Sequence, residues 1–192
     1  MRFSRRAKVQ RDAISVEPMR SANLDEVIAI ERSVFSAPWS RSLYRDELAI
    51  TDTRRYLVAL HHGRVIGYVG LMMILDEAHV TTIAVDSSHQ GRGIGKLLLY
   101  RVLIEAIALG ATSATLEVRV SNTQAQALYH QFGFVPAGIR KNYYAEVNED
   151  GLVMWAYDLD KEESRLRLGS VRVALEERAL LARQSESSGR TR

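Results

Sequence analysis

The stretch HVTTIAVDSSHQGRGIGK, residues 79–96, predicts a strand, a glycine-rich turn and the beginning of a helix. Its first seven residues are rich in β-branched side chains and predict a strand, and the apolar run from about Gly93 to Leu109, with Gly110 at its end, predicts a helix. A glycine-rich turn between a strand and a helix brings backbone N–H groups and the positive end of the helix dipole to one place. Arg92 and Lys96 add charge there, so the turn predicts a phosphate site, with a simple tight turn as the alternative.

Two familiar phosphate-binding motifs are absent from this stretch. It contains no Gly-x-x-x-x-Gly-Lys-Ser/Thr loop, and no Gly-x-Gly-x-x-Gly pattern followed by an acidic ribose ligand. The spacing therefore argues against ATP and NAD as ligands. What remains is the pattern Gln-x-x-Gly-x-Gly, whose six residues are Gln90, Gly91, Arg92, Gly93, Ile94 and Gly95.

On both sides of this stretch, strand-like and helix-like segments alternate from Ile14 to about Leu159 with short connections between them. Such alternation predicts an α/β or α+β fold. The predicted strands are 14–19, 56–60, 65–75, 79–85, 114–120, 134–137 and 152–159, and the predicted helices are 24–35, 41–50, 93–109 and 122–132. The strands at 56–60 and 65–75 are expected to form a hairpin.

The composition limits the class of protein. The chain has 192 residues, of which 46% are apolar, and this length is enough for one globular domain with extensions. It has no cysteine, which excludes a disulfide scaffold, a thiolate metal site and a cysteine nucleophile. The net charge of +3 is unevenly distributed, because residues 1–12 carry +4, residues 161–192 carry +3 and residues 13–160 carry −4. Since the globular part is acidic, no nucleic-acid-binding role is expected.

The chain divides into a basic N-terminal extension over residues 1–12, a globular domain over 13–160 and a C-terminal extension over 161–192. Leucine and valine recur at helical spacing in the last segment and predict a helix, while its polar end at 184–192 predicts disorder. This helix could pack on its own domain or on another subunit, and the oligomeric state stays open. No apolar run is long enough to span a bilayer or has the form of a secretory signal, so we expect a cytoplasmic protein without membrane contact.

Four further strings follow the glycine-rich turn: LEVRVSN at 116–122, ALY at 127–129, FGF at 132–134 and RKNYY at 140–144. In order and spacing, these strings and the turn resemble the GNAT family of acetyl-coenzyme-A-dependent N-acetyltransferases, and within it the RimI branch. Members of that branch acetylate the N-terminal alanine of the eighteenth protein of the small ribosomal subunit. The resemblance covers roughly residues 14–159 and implies a GNAT fold, a central mixed and mostly antiparallel sheet flanked by helices.

The resemblance implies a site for acetyl-CoA. The implied coenzyme-binding residues are Ile83, Ala84, Val85, Asn122 and the turn from Gln90 to Lys96. The turn would cradle the pyrophosphate, and the backbone of the strand before it would pair with the pantetheine arm and polarise the thioester carbonyl. Asn122 would act as a helix cap as well as a coenzyme ligand. One departure from the family pattern is Gly91, at a position that is often basic in relatives, although Arg92 is adjacent.

Two candidate acid–base residues lie in the strand at 114–120 and the helix after it. Alternation along the strand puts Glu117 on the same face as Arg119, so an ion pair between these neighbours is the alternative to a catalytic role. The resemblance assigns the general base to Glu117 and the general acid to Tyr129, whose phenol would protonate the leaving thiolate. The alternative for Tyr129 is a core tyrosine with its hydroxyl at the edge of the core.

Three aromatic residues are predicted on the acceptor side. The resemblance implies that Trp39 and the loop holding Tyr143 and Tyr144 contact an acceptor peptide, and a core anchor is the alternative for Trp39. An α-amine has an ordinary pKa near 8 and a lysine amine one near 10.4, so a carboxylate base is better suited to a protein N-terminus. An acidic domain suits a basic peptide, such as the end of a ribosomal protein.

Other chemistries have less support in the sequence. The five histidines form no metal-binding pattern and are interpreted as surface residues, so no metal is expected. No serine has the context of a nucleophile elbow, which predicts direct attack by the amine in a ternary complex. Two alternatives remain open: an enzyme that acetylates a small-molecule amine or a protein lysine, and a non-catalytic coenzyme-binding protein that works through partner contacts.

Overall fold

The computed structural model describes residues 14–188. Within them, seven strands form one sheet in the order β1-β2-β3-β4-β5-β7-β6, in which β4 and β5 run parallel and all other neighbours are antiparallel. The strands are β1 (Ser15–Pro18), β2 (Arg54–His61), β3 (Arg64–Ile74), β4 (Glu77–Val85), β5 (Ser113–Arg119), β6 (Val135–Tyr144) and β7 (Glu149–Ala156). The helices are α1 (Leu24–Val34), α2 (Arg41–Ala49), α3 (Ile94–Ala108), α4 (Thr123–His130) and α5 (Glu162–Ser188). This mixed, mostly antiparallel sheet with flanking helices confirms the predicted fold class.

Helices cover both faces of the sheet and bury two cores. On one face, α3 packs against β2, β3 and β4 and buries Leu98, Leu99 and Val102 completely. On the other face, α1 and α2 bury a smaller cluster that includes Tyr44 and Tyr68. Helix α3 is apolar around most of its circumference because it lies between the sheet and the C-terminal helix α5.

The first five strands and the first four helices each begin and end within two residues of the predicted positions. The predicted caps are also present. Gly110 follows α3 with a φ of 94°, and the side chain of Asn122 accepts a hydrogen bond from the N–H of Ala125 at 3.0 Å at the start of α4. Within the described part of the chain, no helix combines the length and apolar character needed to cross a bilayer.

The strand β6 is longer than the sequence predicts. It continues to Tyr144, so Tyr143 and Tyr144 lie at the end of a strand, and the predicted loop at 142–144 is wrong. The reason is the pairing with β7, which supplies partners to β6 from Val135 to Tyr144. The register is irregular before Tyr144, where Asn142 has a φ of 51°.

The C-terminal helix α5 packs on its own domain, which is one of the two arrangements that the sequence left open. Leu168 and Val171 are buried in the core on the α3 side of the sheet. The helix continues through residues 184–188, where the sequence predicts disorder, because strong helix formers precede them and an established helix extends easily. Residues 189–192 and the predicted basic extension at 1–12 lie outside the described residues.

Candidate active site

A cleft opens in the middle of the sheet between β4 and β5. The two strands pair from Glu77 and Ser113 to His79 and Thr115 and then separate. Beyond His79, no strand among residues 14–188 pairs with this edge of β4. The gap forms a cleft of about 360 Å³, into which backbone N–H and C=O groups of β4 can point.

The structure brings the predicted acid–base and acceptor residues together in this cleft. Its lining includes Trp39, Ile83, Glu117, Asn122, Tyr129, Tyr143 and Tyr144. The other two predicted coenzyme-binding residues of β4 are not among the residues that line the cleft. Ala84 is buried opposite Tyr68 of β3, and Val85 pairs with Gly67 at the end of the strand. The predicted phosphate turn follows where β4 ends.

Glu117 lies on β5 with its side chain only 6% exposed. Its Oε2 is 2.7 Å from Nε2 of His79, and its Oε1 is 3.1 Å from Nη1 of Arg140. A carboxylate can only accept hydrogen bonds, so Nε2 of His79 carries the proton in this contact. Burial by itself would raise the pKa of Glu117, but the hydrogen bond and charge of His79 and the charge of Arg140 outweigh burial and lower that pKa. Glu117 is therefore ionised at neutral pH.

The alternative interpretation of Glu117, an ion pair with Arg119, is wrong. The partners of Glu117 come instead from β4, which neighbours β5, and from β6, which lies beyond β7. Arg119 makes other contacts. Its Nη2 lies 3.1 Å from the hydroxyl of Ser36 and 4.0 Å from the carboxylate of Glu146, and its guanidinium is 5.3 Å from the ring centre of Tyr144.

His79 is a site residue that the sequence analysis missed. Its side chain is 22% exposed and sits opposite Thr115, at the last paired position before the strands separate. The interpretation of all five histidines as surface residues is therefore wrong for His79. No local signal marks it, since the register of β4 against β5 alone brings it to Glu117. Among the described residues, no three His, Asp or Glu side chains are grouped so that they could hold a metal ion.

Tyr129 lies in the last turn of α4 and is 5% exposed. Its ring centre is 6.0 Å from that of Phe134, so it belongs to the core as well as to the wall of the cleft. Burial raises the pKa of the Tyr129 phenol, and the neighbouring Tyr144 raises it further. The phenol therefore keeps its proton at neutral pH, and the two interpretations of this residue are compatible.

Two tyrosines at the end of β6 form one wall of the cleft. The rings of Tyr143 and Tyr144 are 5.1 Å apart and nearly perpendicular. The hydroxyl of Tyr144 donates to the backbone carbonyl of Glu117 at 3.2 Å, and the guanidinium of Arg140 lies 5.5 Å from the ring centre of Tyr143. Gly151 of β7 makes room for this wall, because a Cβ there would lie 3.0 Å from the Cβ of Tyr143.

The segment after α1 forms the facing wall. The ring of Trp39 packs 5.4 Å from that of Tyr44, and its backbone N–H donates to Oε1 of Glu31 at 3.0 Å. The hydroxyl of Tyr44 donates to Oε2 of the same carboxylate at 2.9 Å. Glu31 is 2% exposed, and burial raises its pKa despite these two hydrogen bonds. Trp39 thus packs on the smaller core and also lines the cleft, held by a buried carboxyl group that the sequence analysis did not single out.

The predicted phosphate turn lies between β4 and α3. Gly91 and Gly93 have φ of 73° and 82°, and Gly93 immediately precedes the helix. The side-chain amide of Gln90 donates to the carbonyl of Val85 at 3.1 Å and holds the turn against the end of β4. A Cβ at Gly91 would meet nothing within 4 Å, so the backbone is open to a ligand there. N–H groups at the start of a helix are suited to bind an anion.

This chain is similar to known proteins. Residues 24–134 match the model of the Acetyltransferase (GNAT) family. A protein of Bacillus subtilis (strain 168), provisionally named ribosomal protein bS18-alanine N-acetyltransferase, is 39% identical over 141 residues, 73% of this chain and 93% of the relative. The ribosomal protein bS18-alanine N-acetyltransferase of Escherichia coli (strain K12) is 33% identical over 144 residues, 73% of this chain and 95% of the relative.

A solved structure is similar as well. The crystal structure of the ribosomal-protein-S18-alanine N-acetyltransferase from Escherichia coli matches with a TM-score of 0.69 and 29% identity, over 76% of this chain and 94% of that chain. The family match covers more than half of the chain, including both strands of the cleft, the glycine-rich turn and α4. This chain therefore belongs to the GNAT family of acetyltransferases.

Proposed function

We propose that this protein transfers the acetyl group of acetyl-CoA to the N-terminal α-amine of a protein, with the N-terminal alanine of ribosomal protein bS18 as the acceptor. The observation that carries the proposal is the cleft between β4 and β5. It holds an ionised, buried carboxylate and a protonated, buried phenol within one volume of about 360 Å³. The names of the relatives support the choice of acceptor.

Acetyl-CoA fits the residues on the coenzyme side. It is the acetyl donor of GNAT acetyltransferases and carries the acetyl group as a thioester. The open turn from Gln90 to Lys96 would hold the pyrophosphate through its N–H groups and charges, and Asn122 lies beside the cleft at the start of α4. The edge of β4 from Ile83 to Val85 would pair with the pantetheine arm, and an amide there would stabilise the negative charge that develops on the carbonyl oxygen.

Glu117 takes the proton that the attacking amine must lose, directly or through a water molecule. Because His79 and Arg140 lower the pKa of Glu117, it is a weaker base than an ordinary glutamate, and it suits an acceptor that is already partly neutral. An α-amine with an ordinary pKa near 8 is about one-tenth neutral at pH 7, whereas a lysine amine is neutral in only about 4 molecules in 10,000. The base in this cleft therefore favours an N-terminal amine over lysine.

Tyr129 gives the proton that the departing sulfur must gain. Its raised pKa keeps the phenol protonated until the C–S bond breaks. One proton passes from the amine to Glu117 and another from Tyr129 to the sulfur, so the net reaction moves one proton and one acetyl group. Exchange with solvent through water then restores both side chains.

The acceptor side of the cleft is suited to a positively charged peptide end. Three glutamates, Glu31, Glu117 and Glu146, line the cleft with one arginine, Arg119, and residues 13–160 carry a net charge of −4. Trp39 and Tyr143 supply aromatic surface on facing walls. Complementary charge speeds the encounter with a basic protein N-terminus. A ribosomal acceptor would also place the enzyme in the cytoplasm.

The test is release of CoA from acetyl-CoA in the presence of two peptides. One copies the N-terminus of bS18, and the other is identical but blocked at its α-amine. We expect turnover with the free peptide only, and mass spectrometry should locate the acetyl group on the terminal alanine. An acetyl group on a lysine side chain would overturn the α-amine assignment. Binding of acetyl-CoA without turnover on either peptide would favour a small-molecule amine or a non-catalytic coenzyme-binding role.

A further inference from the structure

Helix α5 contacts the predicted phosphate turn from Gln90 to Lys96, called the coenzyme turn below, through the side chain of Arg178. Nη2 of Arg178 donates to the backbone carbonyl of Gly91 at 2.6 Å. A Cβ added to Gly93 would lie 3.1 Å from Nε and 3.2 Å from Cδ of the same side chain. One arginine from the end of the chain therefore contacts both glycines that give the turn its positive φ angles.

This contact spans a gap between two helices. A cleft of about 550 Å³ lies between α5 and the first turns of α3, and Arg92, Leu97 and Arg178 are among its lining residues. Helix α5 is anchored in the core up to Leu175, and its described side chains beyond that point are exposed. Beyond Leu175, therefore, no buried apolar side chain among the described residues holds α5 against the turn, whereas the hydrogen bond to Gly91 does.

We propose that Arg178 is a positioning residue of the coenzyme site, which makes α5 a part of that site. In a trans peptide the C=O and the following N–H point in opposite directions. By holding the carbonyl of Gly91, Arg178 turns the N–H of Arg92 away from α5. It also places a positive charge beside the turn, in addition to Arg92 and Lys96, where the field favours a diphosphate. This inference rests on the proposed use of acetyl-CoA.

The direct test is Arg178→Gln, compared with Arg165→Gln. Arg165 is exposed in the first turn of the same helix, so the control removes an equal charge far from the coenzyme turn. We expect Arg178→Gln to raise the KM for acetyl-CoA and the calorimetric Kd for CoA about tenfold, the range of one charge-assisted hydrogen bond, with kcat nearly unchanged. Arg165→Gln should match the unmodified protein, and Arg178→Lys should recover part of the affinity because it keeps the charge.

A second donor separates coenzyme positioning from a general structural role. S-acetylpantetheine carries the same thioester but no phosphate, so Arg178→Gln should leave its KM unchanged. An equal rise in KM for both donors, or an unchanged Kd for CoA, would overturn the role of Arg178 and leave the proposed function intact. Failure of the unmodified protein to bind CoA would overturn both, so the two failures are distinguishable.

Discussion

The coenzyme turn, from Gln90 to Lys96, and the acid–base centre around Glu117 lie near opposite ends of β4. The turn presents mainly backbone groups, whereas the centre presents side chains. The turn offers open backbone around Gly91 and Gly93. The centre offers side chains from three strands, in which His79 and Arg140 surround the nearly buried carboxylate of Glu117. In the proposed function, affinity for the coenzyme depends mainly on the turn and the chemical step on the side chains around Glu117, so the contrast predicts that the two are separable.

Glu117→Gln is the change expected to have the largest effect, and it acts on the centre alone. An amide cannot take a proton from the amine, so kcat should fall by a factor of about 10² to 10⁴. The Kd for CoA, measured by calorimetry, should stay near that of the unmodified protein. Glu77→Gln, at the exposed start of β4, is the matched control and should leave both values unchanged. If Glu117→Gln weakens CoA binding as strongly as turnover, the two regions are not separable.

Tyr129→Phe should have the next largest effect. It removes the proton donor while keeping the ring that packs near Phe134, so kcat should fall by about one to two orders of magnitude with little change in thermal stability. Tyr157→Phe, at an exposed tyrosine, is the control. Steady-state kinetics with the free bS18 peptide measure both variants. Full turnover in Tyr129→Phe would remove this residue from the proton path.

Gly93→Ala tests the turn. An alanine in the left-handed conformation costs about 1–2 kcal/mol, and its Cβ would lie 3.1 Å from Nε of Arg178, so either the turn or the Arg178 side chain must move slightly. We expect the Kd for CoA to rise about tenfold and kcat at saturating acetyl-CoA to change little. Gly138→Ala is the control, because a Cβ there meets nothing within 4 Å. A loss in kcat with unchanged Kd would contradict the division between the two regions.

His79→Ala should have the smallest effect on kcat/KM at neutral pH, but it should lower kcat/KM clearly at acidic pH. Glu117 stays buried but loses the hydrogen bond and charge that do most to lower its pKa, so that pKa rises. A carboxylate with a raised pKa is protonated earlier as the pH falls, and the acidic limb of kcat/KM should therefore move to higher pH. The pH–rate profile measures this shift, with the exposed His130→Ala as control. An unmoved limb would mean that Arg140 is sufficient to keep Glu117 ionised.

The two regions also differ in how far the sequence predicts them. The turn is a local pattern, so the order of strand, glycines and helix at 79–96 could be predicted without knowing the rest of the fold. The surroundings of Glu117 could not, because His79 and Arg140 reach it through the register of β4 and the irregular end of β6. The pattern within β5 pointed to Arg119 instead.

The contact of Arg178 with the turn was equally hidden from sequence reasoning. The apolar spacing of α5 predicts a helix that packs on something, but it does not say on what. The contact with Gly91 depends on the direction in which α5 crosses α3, and that direction is set by the burial of Leu168 and Val171. Tertiary packing, which no local pattern encodes, decides such contacts.

The early separation of β4 from β5 has a consequence for deuterium exchange. It divides the sheet into halves of four and three strands that are joined over three residue pairs. Along β4 from Thr82 to Val85, where pairing with β3 is regular, amides that bond to β3 are shielded, while alternate amides face the gap and exchange with solvent. A ligand that docks along this edge as an extra strand should slow exchange at every second residue. This alternating pattern of amide protection would report binding before any turnover occurs.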